Sequence, residues 1–396
     1  MLRPGTFALT LLLSLLTALG PLTMDMYLPS LPDIGHLLHA STAQVQLTIS
    51  TYLFGFAAGQ IVYGPISDRF GRKPVILAAL ALYGAATIVC AATQSIETLT
   101  MVRFVQALGG AGAIVLARAV VRDLYTGVRA GRELSLMGSI TAFAPIVAPM
   151  IGGVLQTTFG WRAGFVLLVT FAAAAAAVAA RLLPETLAKR TPGPISLGSI
   201  GGLYRSVLMH RGFLANLGIL TAAFVGLMVW VSGASIVMQG IYGLSPLAFG
   251  VTYAVGAAGY MVGTGIAARV VMRLGLDRTI GLGVVTLAGG GLIMAAVVAL
   301  RLTHVAWLVG AMTVYLAGLG LALPQTMAGA LTPFADRAGT ASSLMGFTQQ
   351  SCAAIAAAAV GQYLGHSAWP VAGVVATMGC LAFVIWTLTR HVRALE

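Results

Sequence analysis

Charged residues are scarce in this chain. Of its 396 residues, 8% are Asp, Glu, Lys or Arg and 59% are hydrophobic, and the mean hydropathy is +0.95. In soluble globular domains about a quarter of the residues are charged. The composition therefore excludes a soluble globular protein and indicates one that crosses a membrane several times.

Reactive and metal-binding groups are scarce as well. The three cysteines, Cys90, Cys352 and Cys380, all lie within apolar runs, where they provide neither a disulfide framework nor the spacing of a metal site. The sequence also lacks a nucleotide-binding loop of the form G-x-x-x-x-G-K-S/T and any Cys/His, Ser/His or paired-carboxylate group typical of an active site. We therefore expect that the protein is not an enzyme, needs no cofactor or metal, and draws its energy from an ion gradient.

Long apolar runs are abundant. Twelve of them reach about 20 residues, the length of a helix that crosses roughly 30 Å of hydrocarbon, and six lie on each side of a polar interval at 184–211. The sequence therefore predicts an all-α membrane protein of twelve transmembrane helices in two six-helix bundles, residues 1–183 and 212–396, joined by the linker 184–211. The predicted spans are Phe7 to Leu28, Ala43 to Tyr63, Val75 to Thr93, Thr100 to Val121, Leu134 to Leu155, Ala163 to Leu183, Phe213 to Ile236, Pro246 to Ala268, Ile280 to Leu300, Val305 to Ala328, Thr340 to Leu364 and Trp369 to Leu388.

The basic residues lie mostly on one side of these spans. With the N-terminus in the cytoplasm, eighteen Lys and Arg residues fall in cytoplasmic segments, against only Arg162 and Arg301 in external loops. Cytoplasmic loops collect Lys and Arg, so we expect both termini in the cytoplasm. The same rule accounts for most of the net charge of +12, and a nucleic-acid partner is therefore not expected.

Asp25 is the one acidic residue of ten that falls inside a predicted span. An ionisable group in a membrane is costly and indicates function when a partner can be named. Arg103 is the predicted partner, because both residues lie a few positions from the external ends of their spans. Burial favours the neutral acid and a nearby guanidinium favours the carboxylate, so Asp25 is expected both to bind and to release a proton. The alternative is a hydrated Asp25 at the interface, or one that caps the turn before Pro29.

Three neighbours extend this predicted proton and substrate site. Met24 and Tyr27 flank Asp25 and are the expected substrate contacts. Gln106 lies three residues after Arg103 and therefore shares its helix face. Its amide is expected to orient Arg103 or the substrate, or to join two helices by hydrogen bonds.

The densest run of charge is GPISDRFGRKPV at 64–75, between the second and third spans. Its glycines and prolines favour a tight turn before a new helix. The run resembles the loop between helices two and three of major facilitator superfamily transporters, G-x-x-x-D-R-x-G-R-K/R. The resemblance implies that Asp68, Arg69 and Arg72 form a conformational latch against the start of the eleventh helix, near Gly339. The alternative is that these residues only set the topology.

The fifth span contains a second pattern of the same superfamily. Pro145, Pro149 and the pair Gly152 and Gly153 lie in one predicted helix, where prolines bend the helix and glycines allow close approach. They resemble the proline-glycine motif of drug:proton antiporters. Ala148 stands where that motif usually has glycine.

Three further segments narrow the resemblance to one branch of the superfamily: MDMYLPSLP (24–32), RFVQA (103–107) and AVVRD (119–123). They resemble the Bcr/CflA branch, whose members export bicyclomycin, chloramphenicol and related drugs. The resemblance implies a rocker-switch exporter in the bacterial inner membrane, in which small amphipathic drugs and protons compete around Asp25 and Arg103. Related exporters carry a second acid about two turns earlier in the first helix, where this chain has Thr17.

Two other classes of function are alternatives to drug export. A small metabolite, exported or imported on the same fold, stays open as the alternative. A membrane sensor or structural protein would not explain Asp25 together with Arg103. The expected partners are a small-molecule drug, protons and the lipid bilayer, and the expected state is a monomer.

Overall fold

A computed structural model of the chain describes residues 6–125, 127–187, 204–364 and 367–393. The chain forms two compact units, Met1–Ile195 (unit 1) and Ser196–Glu396 (unit 2). The middle of the predicted linker, 188–203, lies outside the described residues, so the linker boundaries 184–211 stay a prediction.

Unit 1 consists of helices of very different lengths. A short 3₁₀ turn, Leu28–Ser30, follows the first of them. The helices are α1 Phe7–Asp25, α2 Leu31–Leu37, α3 Thr42–Phe70, α4 Arg72–Ala92, α5 Ile96–Leu124, α6 Gly127–Thr141, α7 Ala144–Phe159 and α8 Arg162–Leu182.

Unit 2 is helical as well, and residues 204–208 precede its first long helix as a helical turn. The first long helix runs on into a π-helical segment, Ile236–Ile241, and a 3₁₀ segment, Thr332–Arg337, precedes the fourth. The helices are α9 Arg211–Ser235, α10 Pro246–Ala299, α11 Val305–Leu331, α12 Ala338–Gly361, α13 Trp369–Leu388 and α14 Arg390–Arg393.

Nine helices within the described ranges are long and apolar enough to span a membrane. One of them, α10, has 54 residues and contains the two predicted spans Pro246 to Ala268 and Ile280 to Leu300. Gly275 separates these spans, since its backbone has φ 77° and ψ 176°, a conformation that essentially only glycine adopts. The structure thus confirms an all-helical membrane fold, while the count of twelve spans stays a prediction.

The fifth predicted span, Leu134 to Leu155, is not one helix. The structure has two helices, α6 and α7, with a turn at residues 142–143 between them. Proline disfavours helical geometry in the preceding residue but suits the first turn of a new helix, where its missing N–H costs nothing. Pro145 accordingly lies in the first turn of α7, and only Pro149 lies inside that helix. The prediction that both prolines bend one helix was therefore wrong.

Glycines bring the helices of both units into close contact. A Cβ atom added at Gly109 would lie 2.6 Å from the backbone nitrogen of Tyr83, and one added at Gly290 would lie 2.5 Å from the backbone nitrogen of Tyr315. No side chain fits at such distances. The glycine-rich stretches at 109–112 and 288–291 therefore serve helix packing, as small residues commonly do between membrane helices.

Candidate functional site

Asp25 is the last residue of α1, so the first helix ends three residues earlier than the predicted Leu28. Its residue surface is only 5% exposed, because the helices α5, α6, α7 and α8 all pack around α1. Within the described residues, the Asp25 carboxylate forms neither an ion pair nor a side-chain hydrogen bond. The structure therefore places an acid without a partner inside the helical core of unit 1.

Arg103 is completely buried on α5. Its Nη1 donates a hydrogen bond to Gln106 Oε1 at 2.7 Å, and Gln106 Nε2 in turn donates to Thr87 Oγ1 on α4 at 2.9 Å. Arg103 Nε and Nη2 have no hydrogen-bond partner within the described part of the chain. Two N–H groups of a buried cation are thus available to a hydrogen-bond acceptor, and a buried donor without a partner costs about 1–3 kcal/mol or more.

Two tyrosine rings hold the Arg103 guanidinium. Its central carbon lies 4.5 Å from the ring centroid of Tyr27 and 4.2 Å from that of Tyr52, within the range of a cation–π interaction. The Tyr27 hydroxyl bonds Thr48 Oγ1 at 2.9 Å, and the Tyr52 hydroxyl donates to the backbone oxygen of Gly20 at 3.3 Å. The rings are therefore anchored at their polar ends while their faces contact the cation.

The predicted direct pair between Asp25 and Arg103 is not present among the described residues. Arg103 is held by Gln106 and by the faces of Tyr27 and Tyr52, which stabilise a cation without a carboxylate. Tyr52 was not among the predicted site residues, because it lies in a different helix and its spacing from Arg103 carries no local signal. Met24 is buried beside Asp25. The site thus presents an acid, a separate cation with two free donors, and aromatic surface.

The family follows from comparison with known proteins. A profile of the Major Facilitator Superfamily matches residues 13–357. The chain belongs to this superfamily. The prediction made from the run at 64–75 is therefore confirmed, and the protein is a multi-pass membrane transporter.

Superfamily members that are similar along nearly the whole chain include drug-resistance proteins. A bicyclomycin resistance protein homolog of Haemophilus influenzae is 31% identical over 372 residues, which are 93% of this chain and 92% of that protein. A chloramphenicol resistance protein of Pseudomonas aeruginosa is 33% identical over 353 residues, 86% of this chain and 81% of that protein. The predicted similarity to bicyclomycin and chloramphenicol resistance proteins is thus confirmed.

The fold of the superfamily is also evident in solved structures. The crystal structure of a D-xylose-proton symporter aligns with a TM-score of 0.78 over 96% of this chain and 97% of that chain. The two sequences are 16% identical, so this likeness concerns the fold alone.

Gly152 of the antiporter-like motif packs against Met26, the residue after Asp25. A Cβ atom at Gly152 of α7 would collide with the backbone carbonyl of Met26. Ala148 is completely buried in one apolar cluster with Met26 and Leu168, so its methyl group is accommodated where the motif usually has glycine. Gly152 therefore lets α7 approach the end of α1, which positions the backbone beside Asp25.

Two of the three predicted latch residues, Asp68 and Arg72, belong to a charge network inside unit 1. Arg72 donates from Nη1 to Asp68 Oδ1 at 2.6 Å and from Nε to Asp123 Oδ2 at 2.8 Å. The Arg69 guanidinium lies instead 5.4 Å from the ring centroid of Phe70. The predicted contact with Gly339 would join the two units and stays a prediction. Asp123, which had been assigned no role, proves to be the second carboxylate of the network.

Glu185, also without an assigned role, connects this network to the segment after α8. Its Oε1 accepts a hydrogen bond from the backbone nitrogen of Arg72 at 2.9 Å, and its Oε2 accepts one from that of Lys73 at 3.3 Å. A carboxylate at a helix N-terminus is stabilised by the free N–H groups and the helix dipole. Partial burial opposes ionisation, but the backbone N–H groups of residues 72, 73, 186 and 187 outweigh it and lower the pKa of Glu185.

Proposed function

We propose that this superfamily member exports small amphipathic drugs of the chloramphenicol or bicyclomycin type in exchange for protons. The observation that carries the proposal is a buried Asp25 that has no ion-pair partner among the described residues, in the unit that also buries Arg103 with two N–H groups that no described residue binds. Intramembrane acids of this kind commonly serve as proton sites in transporters. The names of the bicyclomycin and chloramphenicol resistance relatives support the drug class.

In the proposed cycle the proton and the drug compete at Asp25 and Arg103. A protonated Asp25 is neutral and tolerates the apolar surroundings, whereas an ionised one needs a compensating group. A drug with an apolar body and hydrogen-bond acceptors would bind the free Nε and Nη2 of Arg103 and contact Met24, Tyr27 and Gln106. The drug would thereby favour release of the proton.

Alternating access couples these events to transport. The proton gradient supplies the energy without any cofactor, and the charge distribution supports an orientation with both termini in the cytoplasm of a bacterial inner membrane. Asp68, Arg69 and Arg72 act as the latch, and the motif residues Pro145, Pro149, Gly152 and Gly153 shape the helices beside the site. The transporter works as a monomer.

Proton release on drug binding tests the proposal. Chloramphenicol is added to purified protein in weakly buffered detergent solution between roughly pH 6 and 8, a range that brackets a carboxyl group shifted by burial. We expect release from the wild type and none from Asp25→Asn. Glu97→Gln, which removes an exposed acid in the first turn of α5, is the matched control and should release protons as the wild type does.

The remaining outcomes contradict the proposal in different ways. Equal release from wild type and Asp25→Asn would place the proton site elsewhere. Absence of both drug binding and release would remove this drug class and favour a metabolite as the substrate.

A further inference from the structure

A second carboxylate of unit 1 contacts α1, apart from the site described above. Glu133 of α6 is half-buried, and its Oε2 accepts a hydrogen bond from Thr10 Oγ1 of α1 at 2.7 Å. Its neighbours on the same face of α6 are Ala130, Leu134 and Met137, which pack against the apolar core around α1. Glu133 therefore faces the interior of the unit and contacts the helix that ends at Asp25.

The charged groups around Glu133 do not neutralise it directly. From Phe7 to Met24, α1 carries no charged residue. The neighbouring helix α5 contributes Arg118, Arg122 and Asp123, and α6 itself contributes Arg129 and Arg132. All four arginines are exposed, and none forms an ion pair with Glu133 in the part of the chain that the structure describes. The contact that defines the Glu133 carboxylate is thus a hydroxyl group.

A row of hydroxyl groups leads from this contact along α1. Thr10, Ser14 and Thr17 are separated by four and three residues and so lie on one helix face, and all three are buried. Ser14 Oγ donates to the backbone oxygen of Thr10 at 2.7 Å, and Thr17 Oγ1 donates to that of Leu13 at 2.8 Å. Each hydroxyl oxygen keeps lone pairs that accept a proton.

The same face continues toward Asp25, eight residues after Thr17 and about 12 Å further along the helix. Pro21 lies between them inside α1. Because proline has no N–H, the carbonyl of Thr17 loses its usual helical donor four residues later. In membrane helices such freed groups are satisfied by side chains or ordered water. The interval between Thr17 and Asp25 therefore contains a polar acceptor where an uninterrupted helix would offer none.

We propose that Glu133 accepts the proton that leaves Asp25 and releases it to the cytoplasm. The proton moves along the buried row Thr17, Ser14 and Thr10. The inference rests on the proposed proton exchange at Asp25. Loss of its proton leaves Asp25 as a carboxylate. Water and each hydroxyl on the way then accept one proton and release another. Glu133 becomes the neutral acid before it loses the proton to the cytoplasm. Glu133 would thus serve as a second acid of unit 1 on the proton path.

The test separates drug movement from proton movement in proteoliposomes. Drug exchange at equal pH on both sides needs no net proton transfer, whereas uptake driven by a pH gradient does. Glu133→Gln keeps an acceptor for Thr10 but cannot bind a proton. We expect normal exchange and gradient-driven uptake slowed about 100-fold, the scale of a positioned proton-transfer group. Thr10→Val, which removes the hydroxyl and keeps the acid, should also slow only the driven uptake.

Arg132→Gln, on the exposed face of α6, is the matched control and should behave as the wild type in both assays. Gradient-driven uptake by Glu133→Gln at the wild-type rate and with the wild-type pH profile would overturn the inference. Loss of exchange together with driven uptake would also overturn it, since Glu133 would then be structural. If the wild type releases protons on drug binding and Glu133→Gln shows normal gradient-driven uptake, the proposed function stands and this inference alone is wrong. Wild-type vesicles with no gradient-driven uptake would remove both.

Discussion

In unit 1, the segment after α8 contacts the turn between α3 and α4. In unit 2, the segment after α13 contacts the turn inside α10. Glu185 provides the first contact by accepting the backbone N–H of Arg72. Arg393 provides the second by donating from Nε to Asp277 Oδ1 at 2.9 Å. The segment after the last long helix of each unit thus contacts a turn between two helical stretches, through a carboxylate in unit 1 and a guanidinium in unit 2.

The interiors of the two units differ more than their ends. Among the described residues, unit 1 buries Asp25 and Arg103 within its membrane-spanning helices, whereas the charged residue that unit 2 buries, Arg393, lies beyond its last long helix. The other buried polar side chains of unit 2 are uncharged: Asn216, Ser232, Ser235, Thr279 and Thr326. Among the described residues, the two units therefore share one kind of contact at their C-terminal segments, while unit 1 alone buries ionisable groups within its long helices.

The largest expected effect concerns the buried cation of unit 1. Arg103→Met should reduce gradient-driven drug uptake about 100-fold, the scale for loss of one preorganised charged donor. The free energy of unfolding should not fall, because the substitution removes a buried charge with two unpartnered donors. Uptake in proteoliposomes and thermal unfolding in detergent measure the two effects.

Asn216→Leu in unit 2 is the matched comparison for Arg103→Met. Its uptake should stay close to that of the wild type, because Asn216 carries no charge. Equal losses of uptake in both variants would show that the chemistry is shared between the units, and the contrast drawn above would be wrong.

The next largest effects are expected at two glycines, one in each unit, that pack one long helix against another. A Cβ atom at Gly55 of α3 would collide with the backbone oxygen of Phe104, and one at Gly263 of α10 would collide with that of Ala317. Gly55→Ala and Gly263→Ala should each lower the free energy of unfolding by about 1–3 kcal/mol, the usual cost of overpacking. Thermal unfolding of the purified variants checks this.

Gly84→Ala and Gly265→Ala are the controls for the packing prediction, one in each unit. Apart from the adjoining residues and backbone of its own helix, no atom of the described residues lies within 4 Å of a Cβ at either position. Alanine is also the better helix former by about 1 kcal/mol. Both controls should therefore be at least as stable as the wild type. A strong effect at Gly55 with none at Gly263 would show that the scaffolds are not stabilised alike.

A smaller effect is expected at the ion pair between Arg393 and Asp277 of unit 2. Arg393→Gln removes the ion pair with Asp277 and should lower the free energy of unfolding by about 1.5–3 kcal/mol, as for a hydrogen bond to a charged group. Arg390→Gln changes an exposed neighbour and should leave stability unchanged. Identical melting temperatures for both variants would mean that Arg393 contributes nothing to unit 2.

The smallest effect is expected at Glu185, because this carboxylate is partly exposed. Glu185→Gln should cost under about 1 kcal/mol at neutral pH. The pKa of Glu185 is lowered in the folded protein, so its contribution is present above the ordinary glutamate value of about 4.3 and is lost as the pH falls through the folded value. The melting temperatures of wild type and variant should differ at pH 7 and converge below about pH 4. A difference that grows on acidification would contradict the assigned direction.

Much of the fold was predictable because it depends on local properties of the chain. Apolar run length indicated the helices, and the spacing within GPISDRFGRKPV indicated the superfamily. The break between α6 and α7 was missed, although Pro145 carried a signal, because a proline between apolar residues was taken to bend a helix rather than to begin one.

The sequence indicated the unusual residues of the candidate site, except Tyr52, but not the contacts that they make. Asp25 stood out because it is an acid in an apolar run, and Gln106 because it follows Arg103 at helical spacing. That Arg103 contacts Tyr52 rather than Asp25 depends on how α3 and α5 are rotated about their axes. No local pattern encodes such a rotation.

The sequence by itself determined that the chain crosses a membrane, which superfamily it belongs to, and that Asp25 and Arg103 are its unusual charges, because these properties reside in neighbouring residues. Tertiary structure alone decided which groups meet. Thr10 and Glu133 are 123 positions apart, and Arg72 and Glu185 are 113 apart. Such pairs form only when helix packing, which is set by glycines and core side chains throughout a unit, brings the two faces together.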